Sequence, residues 1–282
     1  MKKPVALALL LSCFALGAAA QTQIKLPQAS PAALVKTAVG TSDVTLNYHR
    51  PGVKGRKIWG ELVPFGQVWR LGANNATTIT FADSVKVEGK DVPAGTYGLF
   101  AIPAQDKWTL ILNKEAQQWG AYSYKQEQDL VRFDVKPQTG PFTEWMVFNI
   151  TPAGEGKAVV EMAWENVRVP FTVETDAETA TWKSIDEVLA GSPAWGDYLT
   201  AARYALDKGK RLDEAMVWVD KSISAQESFW NHELKARLLQ KEGKTAEAIT
   251  HLDKAITLAQ GKAPKEYIAG LESTKAEWKR GA

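Results

Sequence analysis

Polar and apolar positions alternate with a period of two through much of residues 24–173. Asp43–Tyr48, Ser84–Val87 and Leu130–Val135 each read as a half-buried strand. Trp108–Leu112 and Trp145–Ile150 are denser apolar runs, which predict central strands covered on both faces or strands at the rim of a core. Gly89-Lys90, Pro93-Ala94-Gly95 and Pro152-Ala153-Gly154 punctuate these runs as turns. Within Tyr97–Ile102, Gly98 has no side chain to pack and predicts a bend, a bulge or another backbone passing close by. Pro103 should end that strand because it has no N–H for a ladder. Short strands without intervening helices predict an antiparallel β-sandwich or barrel-like domain.

After about residue 180 the apolar period changes to between three and four. Ser184-Ile185-Asp186-Glu187 predicts a capping box for a short helix, and Ser192-Pro193 predicts the start of a longer one that stops at Gly209. Helices are expected near 193–208, 211–225, 229–242, 245–260 and 264–279. Glu214–Ile223 and Glu247–Ile256 repeat one another at an offset of 33 residues, with Gly209 and Gly243 at the preceding turns. This segment resembles tetratricopeptide repeats, and the resemblance implies a helical scaffold of the kind that binds peptides or partner proteins. Two units are fewer than the three an independent solenoid usually needs. The helices are therefore expected to cap the β domain, with peptide or protein recognition as the alternative.

The ends sharpen this division. Lys2 and Lys3, the apolar run from Val5 to Leu11 and Ala18-Ala19-Ala20 have the order of a cleavable export signal. The expected organisation is a signal peptide at 1–20, a β-rich domain at 24–173, a linker with a short helix at 174–192, and a tetratricopeptide-like segment at 193–280. Destination is read as periplasmic or secreted, with lipid anchoring through Cys13 as the lesser alternative. Cys13 is the only cysteine and falls in the signal, so the mature chain has neither a disulfide nor a thiol nucleophile. Removing Lys2 and Lys3 lowers the 34 basic residues to 32, equal to the 32 acidic ones. That balance leaves no basic stripe for nucleic acid, and no later run is apolar for long enough to span a membrane.

Residues 48–77 interleave Gly and Pro with Arg, Trp and Asn, as ordered loops do. Arg50, Arg56 and Arg70 are candidate forks for an anion. Trp59 and Trp69 are candidate apolar platforms, and Asn74, Asn75 and Thr77 candidate partners for hydroxyls or carbonyls. The structural alternative has the arginines pairing internally, the asparagines capping turns and the tryptophans filling the domain edge. His49, the lone histidine of this half, is a candidate general base or a satisfied structural residue.

No zinc signature, calcium-loop spacing, nucleophile elbow or phosphate loop occurs, so no metal or cofactor is expected and the catalytic residues are unassigned. His49-Arg50-Pro51, Gly55–Gly60, Leu62–Gly66, Val68-Trp69-Arg70, Gly72-Ala73-Asn74 and Ala76-Thr77 closely resemble the bacterial domain of unknown function 2911 family. Pro93–Pro103 and Trp108–Asn113 resemble its following block, while Phe65 stands where Tyr is common in the family. The resemblance implies an exported bacterial protein and supplies no substrate. The expected function is an exported noncatalytic binding or protein-interaction module, with a glycan, small anion or envelope protein as partner. The alternative is an envelope enzyme that uses the Arg/Trp/Asn-rich loops.

Overall fold

The structure is a computed structural model that describes residues 26–281; the expected export signal and Cys13 lie outside them. Ten antiparallel strands come first. They are β1 (Ala32–Val39), β2 (Ser42–His49), β3 (Thr77–Phe81), β4 (Val85–Val87), β5 (Lys90–Val92), β6 (Gly95–Ile102), β7 (Trp108–Asn113), β8 (Asp129–Val135), β9 (Gln138–Pro152) and β10 (Lys157–Glu174). They form a six-stranded sheet in the order β1-β2-β3-β6-β7-β8 and a four-stranded sheet in the order β5-β4-β10-β9. Two sheets facing across one core make this a sandwich.

Alternation places every second side chain in that core. Val44, Leu46 and Tyr48 point inward from β2, while Asn47 and His49 point to the outer face. Met146, Phe148, Val160, Met162, Phe171 and Val173 answer from the second sheet. β10 contains Pro170, yet this strand leaves β9 after Arg168 and meets β4 at Val173. Pro170 lies in the gap, where its missing N–H costs no ladder bond. The β4–β5 hairpin turns on Glu88 (φ 46°) and Gly89 (φ 74°), the two positive dihedrals of a tight hairpin turn.

Trp59, Trp69, Trp108 and Trp164 fill one end of the core as a quartet. Trp59 meets Trp108 edge-on at 5.0 Å, and Trp69 stacks on Trp164 at 5.9 Å. The apolar density of β6 and β7 has a second cause. Leu110 and Leu112 face the main core, whereas Phe100 and Ile111 face outward into a small cluster with Ala76, joined by the partly buried Ala121 and Tyr124. Both faces of the central strands are therefore covered, the outer one by the loop between β7 and β8.

The helices are α1 (Ala177–Ala190), α2 (Trp195–Lys208), α3 (Leu212–Ala225), α4 (Phe229–Lys241), α5 (Thr245–Ala259) and α6 (Lys265–Arg280). α1 begins at Asp176, whose side chain accepts from the Thr179 N–H, and runs through Ser184. The capping box expected at Ser184 is thus not a helix start. α2 starts at Trp195, with the Asp197 carboxylate accepting from the Ala194 N–H at 2.7 Å, two residues later than Ser192-Pro193 implied. Gly209 ends it in the left-handed region at φ 64°.

The 33-residue repeat is visible in the packing. Ala215 and Ala248 are fully buried, as are Ser222 and Ala255, so neighbouring helices approach closely at equivalent positions of α3 and α5. These helices do not seal the sandwich as expected. Their apolar side chains form two cores of their own, neither of which shares a residue with the sandwich core. The helical segment is instead tied to the sheets just before α1, where Thr175 Oγ1 donates to the Val39 carbonyl at 3.1 Å, and at the end of α2, where Lys208 pairs with Glu155 at 2.5 Å. Gly40 is required at the start of α1: at φ 61°, a Cβ would stand 2.6 Å from that of Ala177.

Candidate functional site

The outer face of the six-stranded sheet is only partly covered, and a cleft of about 430 Å³ opens beside the covering loop. β2 supplies Asn47 and His49, and β3 supplies Thr78, the partner of Asn47 across the strands. The opposite wall is Ala116–Trp119 of the β7–β8 loop.

That wall is fixed by its backbone. Ala76 N–H donates to Gln118 O at 2.9 Å, and Gly120 N–H donates to Asn74 O at 3.0 Å. The resulting bridge sets Asn75 opposite Trp119, and opposed residues project to the same face. Gly98 lets the loop settle, because a Cβ there would lie 2.9 Å from the Glu115 carbonyl oxygen.

Side chains complete the wall. Asp129 accepts from Asn113 at 2.8 Å, from Tyr124 at 2.6 Å and from Arg132 at 2.6 Å. Burial, with the bond to Asp129, pushes the Tyr124 phenol up to about 12. Asn113 Oδ1 then accepts from Gln118 Nε2 at 3.4 Å, and the Glu115 carbonyl accepts from the same nitrogen at 2.7 Å. Two acceptors orient the Gln118 amide, and its Oε1 is left buried with no hydrogen-bond partner.

Arg70 is not part of this lining but lies near His49. Its neighbour Trp69 exchanges both backbone hydrogen bonds with Ala101 of β6, at 2.7 and 2.9 Å, and sends its indole into the core. Alternation turns Arg70 to the other side. Gly72 packs against the His49 carbonyl, which holds the Arg70 loop close to His49. The Arg70 Nε is buried without a hydrogen-bond partner. Burial lowers its guanidinium from the ordinary value, and the neighbour that offsets this is the Tyr122 phenol, not a carboxylate. Burial, followed by the charge of Arg70, lowers His49 below its ordinary 6.5, so the imidazole is neutral at pH 7.

The sequence candidates therefore separate. His49 and Asn75 line the cleft, and Arg70 lies near His49. Arg50 donates to the Met146 carbonyl at 3.0 Å, and Arg56 staples its own loop at the Gly52 carbonyl at 2.6 Å. Thr77 is fully buried and donates to Leu71 O, while Asn74 sits at φ 56° and donates to Ser30 O at 3.4 Å. Trp59 and Trp69 belong to the quartet. Asn47, Thr78, Gln117, Gln118 and Trp119 were not candidates from the sequence; the only local signal was two amides and a Trp before Gly120. Among the described residues no three His, Cys, Asp or Glu side chains converge into a metal site.

The fold and the site together define a β-sandwich domain with a polar cleft on one sheet face, followed by a tetratricopeptide-like helical segment. The sequence model of the DUF2911 family, described as "protein of unknown function", matches residues 30–173, and the chain belongs to that family. The match ends at Val173, one residue before β10 does, so it covers the sandwich and stops short of the helices. No curated protein and no solved structure matched the chain.

Proposed function

We propose that the sandwich is a noncatalytic binding module of an exported protein and that its cleft holds a small anionic ligand against Arg70. The observation that carries this is the half-buried Arg70 guanidinium, which among the described residues has an Nε without a partner and no carboxylate to balance it. A buried cation is costly unless it is paired. An incoming carboxylate, sulfate or phosphate would supply both the charge and the acceptors for the guanidinium fork.

The lining supports holding a ligand more than transforming one. Of its two titratable residues Tyr48 turns its side chain into the core, which leaves His49, and general-base catalysis ordinarily adds a group that orients the imidazole. Among the described residues no helix is long and apolar enough to cross a membrane, which agrees with an exported domain without requiring one.

Isothermal titration of the purified protein with carboxylates, sulfate and phosphate tests the reading. Saturable binding should weaken by about 10- to 100-fold in a folded Arg70→Gln variant, the loss expected for one charged hydrogen-bond pair. Binding unchanged by Arg70→Gln, or no anion bound at millimolar concentration, would reject it.

A further inference from the structure

The lining of the cleft says more than the charge near His49. Asn47, Asn75, Gln117 and Gln118 contribute four neutral carboxamides, and neither lysine nor carboxylate joins them. Carboxamides both donate and accept, which suits hydroxyl groups that do the same. Gln118 is 6% exposed, and its unpartnered Oε1 is an acceptor that a ligand O–H would satisfy. Trp119 is 64% exposed, an unusual position for an indole in a chain that buries Trp69, Trp108 and Trp164 and half-buries Trp59 in one quartet. The backbone bridge to Asn75 fixes its main chain beside the cleft that Trp119 lines.

An exposed indole beside hydrogen-bonding amides matches a body with an apolar face and a hydroxyl rim, and a pyranose ring has that form. From these features, and resting on the anion reading above, we propose that the cleft takes an acidic sugar. The ring lies on Trp119, a hydroxyl donates to Gln118 Oε1, and the acidic substituent reaches Arg70. The other carboxamides hold the remaining hydroxyls. No bond is made or broken. Uronic acids are the simplest members of the class, either free or as residues of an acidic glycan.

Titrations with glucuronate, glucose, cyclohexanecarboxylate and acetate separate the components, and galacturonate against its trimer separates a free sugar acid from a glycan. Glucuronate should bind at least tenfold more tightly than glucose, which lacks the charge, and than cyclohexanecarboxylate, which lacks the hydroxyls. Trp119→Ala should weaken glucuronate about tenfold and Trp119→Phe should restore most of it, while acetate is unaffected by either. The exposure of Trp119 makes both variants compatible with a folded sandwich, which circular dichroism checks.

Acetate or cyclohexanecarboxylate binding as tightly as glucuronate, or indifference of glucuronate to Trp119→Ala, would overturn the sugar assignment and leave the anion reading intact. Failure of every anion would overturn both. Tighter binding of the trimer assigns the cleft to a glycan, and equal or weaker binding to the free acid.

Discussion

His232 of α4 and His251 of α5 face one another with their Nδ1 atoms 2.9 Å apart and their rings nearly parallel. His232 Nε2 lies 3.0 Å from Glu227 Oε1, which also pairs with Lys254. The carboxylate accepts the Nε2–H of His232, so a neutral His232 offers a lone pair at Nδ1 and His251 donates to it.

A pH dependence of the helical segment follows. Burial is the largest cause lowering His251 below its ordinary 6.5, followed by the charges of Lys235 and His232, with Asp220 and Glu247 opposing. A histidine kept neutral by the fold contributes stability that is full above 6.5 and is lost as pH falls below that value toward the folded pKa. Thermal unfolding followed by circular dichroism should therefore show a lower midpoint at pH 5 than at pH 7.5. In His251→Gln that difference should shrink, and an equal pH response in the two proteins would contradict the account.

Anion binding at Arg70 should carry its own pH signature. His49 is neutral at pH 7 because burial and the charge of Arg70 oppose its protonation. A bound anion relieves the second of these, so the liganded protein holds the His49 proton more readily than the free one. Affinity should rise as pH falls below 6.5, and His49→Gln should flatten the profile between pH 7.5 and 5.5. Titrations across that range measure it.

Gly98→Ala should damage the cleft through the loop. The added methyl would lie 2.8 Å from Phe100 Cε2 and 2.9 Å from the Glu115 carbonyl oxygen, which accepts from Gln118. Overpacking of this kind costs roughly 1–3 kcal/mol. Chemical denaturation should show the loss, and ligand affinity should fall even where the protein is fully folded.

The separate cores predict separable unfolding. Trp164 is 1% exposed in the quartet, packed on Trp59 and Trp69, and Trp164→Ala should cost about 3–5 kcal/mol in the sandwich. Calorimetry should resolve two transitions and show that this variant lowers only one of them. A single transition that shifts as a whole would mean that the bonds around α1 couple the two parts fully.

Much of the scaffold was legible along the chain because it depends on local periodicity. The alternation of β2 and of the end of β8 from Phe133 to Val135, the apolar density of β7, the stop at Gly209 and the 33-residue repeat each correspond to an observed feature. Gly98 was legible in kind, since a backbone does pass close to it, although which backbone could not be read. β10 was harder. Its 18 residues change partner around Pro170 and carry Glu165 at φ 51° beside shifts in register, so no single period describes them.

The cleft shows where local reading ends. Residue types around His49, Arg70 and Asn75 marked a polar, anion-suited region, but Arg50 and Arg56 have the same chemistry and turn to backbone carbonyls. A side chain's freedom to bind depends on whether a distant carbonyl or carboxylate has already satisfied it, and Met146 is 96 residues from Arg50. Gln118 and Trp119 join the site through a backbone bridge to residues 74–76, more than 40 positions earlier in the chain. Composition, strand and helix periods, turns and family are properties of neighbouring residues and are carried by the sequence itself. The partners that consume Arg50 and Arg56, leave Arg70 uncompensated and display Trp119 are set by long-range register and packing, and these exist only once the two sheets close on one another.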